Sequence, residues 1–272
     1  VRRAGRFIMA GMDAPLYPDS NDENVWAHWS RGNYGPGDWS GSHNDLAAGV
    51  DLYHTDHSRA GISVMHTNSS LDRTENLGEV SMKKKFPRVS LYGRHDFAGG
   101  LHAAGDVFAG GIRIKDTSLV DMSTRTAGVH AEVGVDVPAG RGTITPLVRA
   151  AYAGIRGFTT KDGEGFPFTM KESHYSSFSA GLKASLPLSP VSLLTAYAGW
   201  GIRTGYDIDG TMSDAWNTMD ISESGKEHVK TLGIGYRCDV TPFARLSLSA
   251  AREFSSGLHD DWNFQVSAAY KF

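Results

Sequence analysis

The chain has 272 residues, and 27 basic against 30 acidic side chains leave a formal net charge of −3, so nothing in its electrostatics calls for nucleic acid as a partner. A single cysteine, Cys238, excludes an internal disulfide and any multi-cysteine metal site. A mean hydropathy of −0.31 argues against a helical membrane protein, and the longest charge-free stretch, Ala184 to Ile202, is broken by Pro187, Pro190 and three serines; what remains is a β protein rich in glycine and aromatics.

From the N-terminus, Val1 to Asp19 reads as a separate segment. Val1 to Ala10 has the length of about three helical turns, ending before Pro15 and Pro18, with Arg2 and Arg6 on one face. Twelve strands follow, at about 24–32, 44–53, 59–67, 86–97, 100–113, 124–137, 142–156, 173–186, 191–205, 228–239, 243–254 and 261–272. Their signal is alternation with period two. Between Thr126 and Val137, for example, Ala127, Val129, Ala131, Val133, Val135 and Val137 share one face, and Gly128, His130, Glu132, Gly134 and Asp136 the other.

Many of these strands pass ten residues, whereas soluble strands average about five or six and a tilted membrane-crossing strand needs about nine to eleven. The connections alternate too. Tyr53–Arg59, Ala98–Gly100, Pro138–Gly142, Pro187–Val191 and Asp239–Phe243 are short. Gly32–His43, Asn68–Lys84, Lys115–Arg125, Gly157–Glu172, Tyr206–Glu227 and Ser255–Asp260 are expected as the loops of the other rim. That is the plan of an outer-membrane barrel, with short periplasmic turns, long outer loops and an even strand count. A soluble sandwich would also alternate, but it explains neither the strand lengths nor the loop pattern. The expected fold is therefore all-β: a twelve-stranded antiparallel transmembrane β-barrel over residues 20–272, with apolar faces toward lipid, polar faces toward a lumen, and a short N-terminal α-helix (residues 1–19) inside it.

Several segments in order carry a family resemblance. Asn24-Val25-Trp26-Ala27-His28-Trp29 resembles the first strand, and Gly49-Val50-Asp51 the second, of the translocator domain of autotransporters, the type V secretion proteins. Val129-His130-Ala131-Glu132-Val133-Gly134 followed by Ile144-Thr145-Pro146 is similar to its middle strands, and Thr231-Leu232-Gly233-Ile234-Gly235 to the glycine strand near its end. The chain finishes in Tyr270-Lys271-Phe272, like other outer-membrane barrels. The resemblance implies a module that inserts in the bacterial outer membrane, supports secretion of an N-terminal passenger across it and anchors it. The passenger is expected ahead of Val1. The outer-membrane bilayer, the barrel-assembly machinery and periplasmic chaperones are the implied partners, for a monomer with both termini on the periplasmic or luminal side.

Asp51, Glu132, Asp136, Arg149 and Glu253 are the luminal candidates for contacts with the linker, whose own candidates are Arg2, Arg3 and Arg6. Phe264, Val266, Ala268, Tyr270 and Phe272 form the outward C-terminal row that the resemblance makes an insertion signal. Trp26, Trp29, Trp262, Tyr270 and Phe272, near strand ends, would join an interfacial aromatic girdle wherever they face lipid. No catalytic residue, cofactor or metal is expected. No G-x-S-x-G, P-loop or H-E-x-x-H occurs, and His54-Thr55-Asp56-His57 has metal-compatible spacing but lies in a short turn without thiolates. Some members of the family cut their linker at an Asn-Asn pair, which this chain lacks. The alternatives are a small-solute channel, which conductance would reveal, and an outer-membrane hydrolase barrel, whose outward Ser–His pair followed by Asn-Gly is not found.

Overall fold

The computed structural model describes residues 12, 24–34, 39–75, 78–116, 121–161, 167–205, 208–213, 218–223, 225–256 and 261–271. The alternating segments form the strands that close the barrel: β1 (Val25–Tyr34), β2 (Trp39–His54), β3 (Ser58–Glu75), β4 (Gly78–Asp96), β5 (Leu101–Asp116) and β6 (Asp121–Val135) in the first half. A three-residue strand, β7 (Val137–Ala139), precedes β8 (Gly142–Ile155). Two short strands, β9 (Phe158–Lys161) and β10 (Pro167–Met170), separate β8 from β11 (Ser173–Ser189) and β12 (Ser192–Thr204). Another two, β13 (Ile208–Ser213) and β14 (Thr218–Glu223), precede β15 (Lys226–Thr241), β16 (Ala244–Ser255) and β17 (Asp261–Tyr270).

Each of the twelve long strands pairs antiparallel with its neighbours in order, and β1 pairs with β17, so the sheet has no free edge. Closure is what hydrocarbon requires, because an unpaired edge would leave backbone N–H and C=O groups without water. The core is inverted relative to a soluble protein. On β6, Val129, Val133 and Val135 are exposed while His130 and Glu132 are buried; on β2, Leu46, Val50 and Leu52 face out while Asp45 and Ala47 face in. Phe178, Leu182 and Leu186 on β11, and Leu232, Ile234 and Tyr236 on β15, also face out, as the alternation predicts.

The short connections stand where expected. Gly99, Gly100 and Gly140 turn two of them with positive φ, a conformation that side chains with a Cβ rarely adopt. The other rim differs from expectation. Asn68–Lys84 is not a loop: β3 and β4 stay paired out to Glu75 and Gly78. Within 157–172 and 206–227, β9, β10, β13 and β14 form a separate four-stranded sheet. Beyond the hydrocarbon no lipid selects which face is apolar, so alternation ends while backbone pairing, which needs no apolar face, continues. Among the described residues the only helical element is the 3₁₀ turn Ala98–Gly100. The expected N-terminal helix, with Arg2, Arg3 and Arg6, lies outside the described residues; Met12 is the one residue of that segment on view.

Candidate functional site

Charged side chains line the lumen near the short turns and again at the long-connection ends of β12, β15 and β16, whereas apolar side chains gather at the long-connection ends of β3, β4, β5 and β8. Near the short turns, Asp51 at the end of β2 is the hub. Arg59 donates to its Oδ1 from Nε at 3.2 Å and from Nη2 at 2.9 Å, and the Tyr92 hydroxyl donates to the same oxygen at 2.7 Å. His54 Nδ1 lies 2.8 Å from Oδ2, so this histidine serves the carboxylate of its own turn. The Trp26 indole donates to the Tyr92 oxygen at 3.2 Å, and Ala47 and Met65 complete the cluster. Gly49 leaves the space that the Trp26 ring occupies: a Cβ there would lie 2.5 Å from it. Trp26 therefore points inward, whereas Trp29, Trp262 and Tyr270 face outward.

A second group spans β5, β6 and β8. Glu132 accepts from Arg149 Nε at 2.5 Å, and His102 Nε2 lies 3.6 Å from its other oxygen. Pairing is what makes a buried carboxylate tolerable. Arg149 also lies over the Tyr197 ring, 5.4 Å from its centroid. Glu253 is held by both terminal nitrogens of Arg203, one of them at 2.8 Å. Asp136 sits in the break between β6 and β7 at the short-turn rim, exposed, and accepts from the Thr145 hydroxyl at 2.5 Å. A cavity beside this group is lined by His130, Arg149, Ser179, Tyr197, Arg203 and Glu253.

The apolar region gathers Leu71, Phe86, Phe108, Ile112, Ile114, Ile155, Met170 and Tyr175 on inward faces of β3, β4, β5, β8, β10 and β11, and the fully buried Met12 packs among them. The Met12 carbonyl accepts from His130 Nε2 at 2.6 Å, while His130 Nδ1 lies 2.9 Å from Asp106 Oδ1. Phe108 stacks on the His130 ring at 5.1 Å.

Of the sequence candidates, the structure brings Glu132 and Arg149 together and gives Asp51, Asp136 and Glu253 barrel partners of their own. Phe264, Val266, Ala268 and Tyr270 lie on the outward face of β17, and Phe272 lies outside the described residues. Arg59, Tyr92, Asp106 and Arg203 are luminal residues that the sequence reading does not single out, and His130, which it sorts onto the inward face, is not among its contact candidates. Their inward facing follows from the same alternation, but cross-strand partners such as Asp106 and His130, directly opposite in register, become visible only once register is known.

Residues 24–251 match the family described as Autotransporter beta-domain. The chain belongs to the autotransporter β-domain family. It inserts in the bacterial outer membrane and supports secretion of a passenger across it; domains of this family are generally not enzymes. The barrel is similar to the transport unit of the Escherichia coli autotransporter AIDA-I (TM-score 0.73, 15% identity, covering 100% of this chain and 97% of that one). It is also similar to the β-domain of the Bordetella autotransporter BrkA (0.70, 15%, 92% and 100%) and to the translocator domain of Neisseria meningitidis NalP (0.62, 16%, 99% and 94%). No curated protein sequence matches the chain.

Proposed function

We propose that Val1–Asp19 is the linker that threads this autotransporter barrel and closes its lumen, with residues 20–272 forming the translocator proper. The position of Met12 carries the reading. Met12 is 0% exposed inside the barrel and tied to His130, while Asn24, twelve residues on, hydrogen-bonds to Tyr270 at the short-turn rim. Twelve strands leave an interior between the side-chain-filled eight and the open sixteen, and one segment of about 10–12 Å diameter suits that gap if it is helical. Asp51, Glu132 and Glu253 already face Arg59, Arg149 and Arg203, so Arg2, Arg3 and Arg6 act as second cations at this carboxylate-lined wall, with Asp136 at its rim. Both ends of the chain then belong to the periplasmic or luminal side.

Single-channel recording in planar bilayers tests the plug: deleting residues 1–19 raises conductance, and an unchanged current refutes it. The barrel acts as a monomer, without cofactor or catalytic residue, and reaches the membrane through the assembly machinery and periplasmic chaperones. In that step the outward row Phe264, Val266, Ala268, Tyr270 and Phe272 is the recognition element. Removing Phe272 abolishes outer-membrane insertion while expression persists, and normal insertion of the shortened chain overturns that role.

A further inference from the structure

On three consecutive strands the outward face changes from aliphatic to cationic at one level. On β5 the outward row from Leu101 through Val107 to Gly111 spans eleven residues, the length of a tilted crossing, and its next members are Arg113 and Lys115. On β4 the row containing Leu91, Val89 and Pro87 continues into Lys85 and Lys83, and on β6 the row of Val135, Val133, Val129 and Ala127 continues into Arg125. All five cations are exposed, whereas their neighbours Phe86, Ile112 and Ile114 point into the lumen.

The register makes this arrangement unusual. Lys83 stands directly opposite Lys115, and Lys85 opposite Arg113. Directly opposed like charges destabilise a strand pair, yet two such pairs stand side by side. Among the described residues one carboxylate answers them: Asp121, which accepts from Arg113 at 2.6 and 3.0 Å and lies 3.5 Å from Lys115. Lys83, Lys85 and Arg125 have no ion pair among the described residues. On these three strands five outward cations meet one ion-paired carboxylate, an excess of positive charge where the aliphatic belt ends on the long-connection rim, and the outward Asp72 of the adjoining β3 is held by the Ser81 hydroxyl.

We propose that this β4–β5–β6 patch binds the phosphorylated headgroup of an outer-leaflet glycolipid, its acyl chains lying on the outward Val89, Leu91 and Val107. The proposal uses the outer-membrane location and the outward placement of the long connections; it does not depend on the luminal plug. A phosphate between the opposed cations accepts charge-assisted hydrogen bonds from both strands and removes the repulsion that the register imposes. Clustered Lys and Arg beside a bilayer recognise anionic headgroups in the same way, and the continuous aliphatic surface below favours a lipid over a free anion.

The full chain, refolded in neutral detergent, is titrated with bisphosphorylated lipid A, with dephosphorylated lipid A and with inorganic phosphate. Bound lipid is counted by native mass spectrometry, and thermal unfolding is followed by heat-modifiable gel mobility. Lipid A binds at least tenfold more tightly than its dephosphorylated form and raises the unfolding temperature. The variant Lys83→Gln/Lys85→Gln/Lys115→Gln, which keeps the Arg113–Asp121 pair, loses that preference and that shift, while Lys226→Gln/Lys230→Gln on β15 retains both. Equal binding of the two lipid forms, full retention in the triple variant, or displacement of lipid A by inorganic phosphate at equal concentration overturns the proposal. Should the triple variant not fold, the wild-type comparison of the two lipid forms decides alone.

Discussion

Replacing Arg59 by methionine removes the guanidinium from the Asp51 hub while roughly keeping its volume. Both side chains are essentially inaccessible, at 0% and 1% exposure, so the change leaves a carboxylate in a site that water does not reach. Breaking a buried pair from one side costs about 3–5 kcal/mol. Asp51 keeps the Tyr92 hydroxyl and His54 as partners, which places Arg59→Met near the lower end, at about 3 kcal/mol. In the double variant Asp51→Asn/Arg59→Met the stranded charge is gone, and replacing both members of a buried pair is often close to neutral. Its loss is therefore about 1 kcal/mol, less than that of Arg59→Met alone. Urea unfolding of the refolded barrel, read by tryptophan fluorescence, supplies the numbers for a double-mutant cycle. A double variant at least as unstable as the sum of the single ones would refute the argument, and would mean that the hub is hydrated and the two charges act independently.

Ala131 lies midway along the outward row from Ala127 to Val135 on β6; Ala131→Arg puts a charge at the lipid midplane and costs about 2–4 kcal/mol in bilayers, against a small effect for Arg125→Ala at the rim, both read by denaturant titration in vesicles. Gly49→Ala drives a Cβ to 2.5 Å from the Trp26 ring and destabilises by about 1–3 kcal/mol, as overpacking does. In a Trp26→Ala background the same substitution costs much less, and an equal cost in both backgrounds would show that the ring is not what fills the space.

Most of the barrel is legible in the sequence because a lipid-facing strand obeys a binary rule: Val129, Val133 and Val135 against His130 and Glu132 can be sorted without coordinates. Outside the bilayer the rule lapses. The extensions of β3 and β4 past Asn68 and Lys84, and the small sheet of β9, β10, β13 and β14, are paired by backbone hydrogen bonds that leave no periodic trace in side-chain type. The luminal site is legible only by halves. Asp51 and Glu132 announce themselves as charges in an inward row, but their partners come from other strands: Arg59 is eight residues from Asp51, Tyr92 forty-one, and Arg149 seventeen from Glu132. Twelve inward rows offer many such pairings, and register selects among them.

The asymmetry of the lumen bears on whether this barrel is a permanent channel. A water-filled pore has a polar interior, yet Leu71, Phe86, Ile112, Ile114 and Ile155 crowd one part of this one and are almost fully buried. Apolar surface returned to water costs about 25 cal/mol per Å², so a cluster of this size favours an occupant over an open passage, and Met12 is an occupant of matching chemistry. Met12→Asp puts a carboxylate where Met12 packs against apolar side chains, and burying it there is unfavourable. The expected outcome is displacement of the segment around residue 12, with increased single-channel conductance and faster proteolysis of the N-terminal segment, while the barrel keeps its heat-modifiable mobility because the twelve strands pair without it. Conductance and proteolysis identical to wild type would mean that the β3–β5 and β8 side chains close the lumen by themselves.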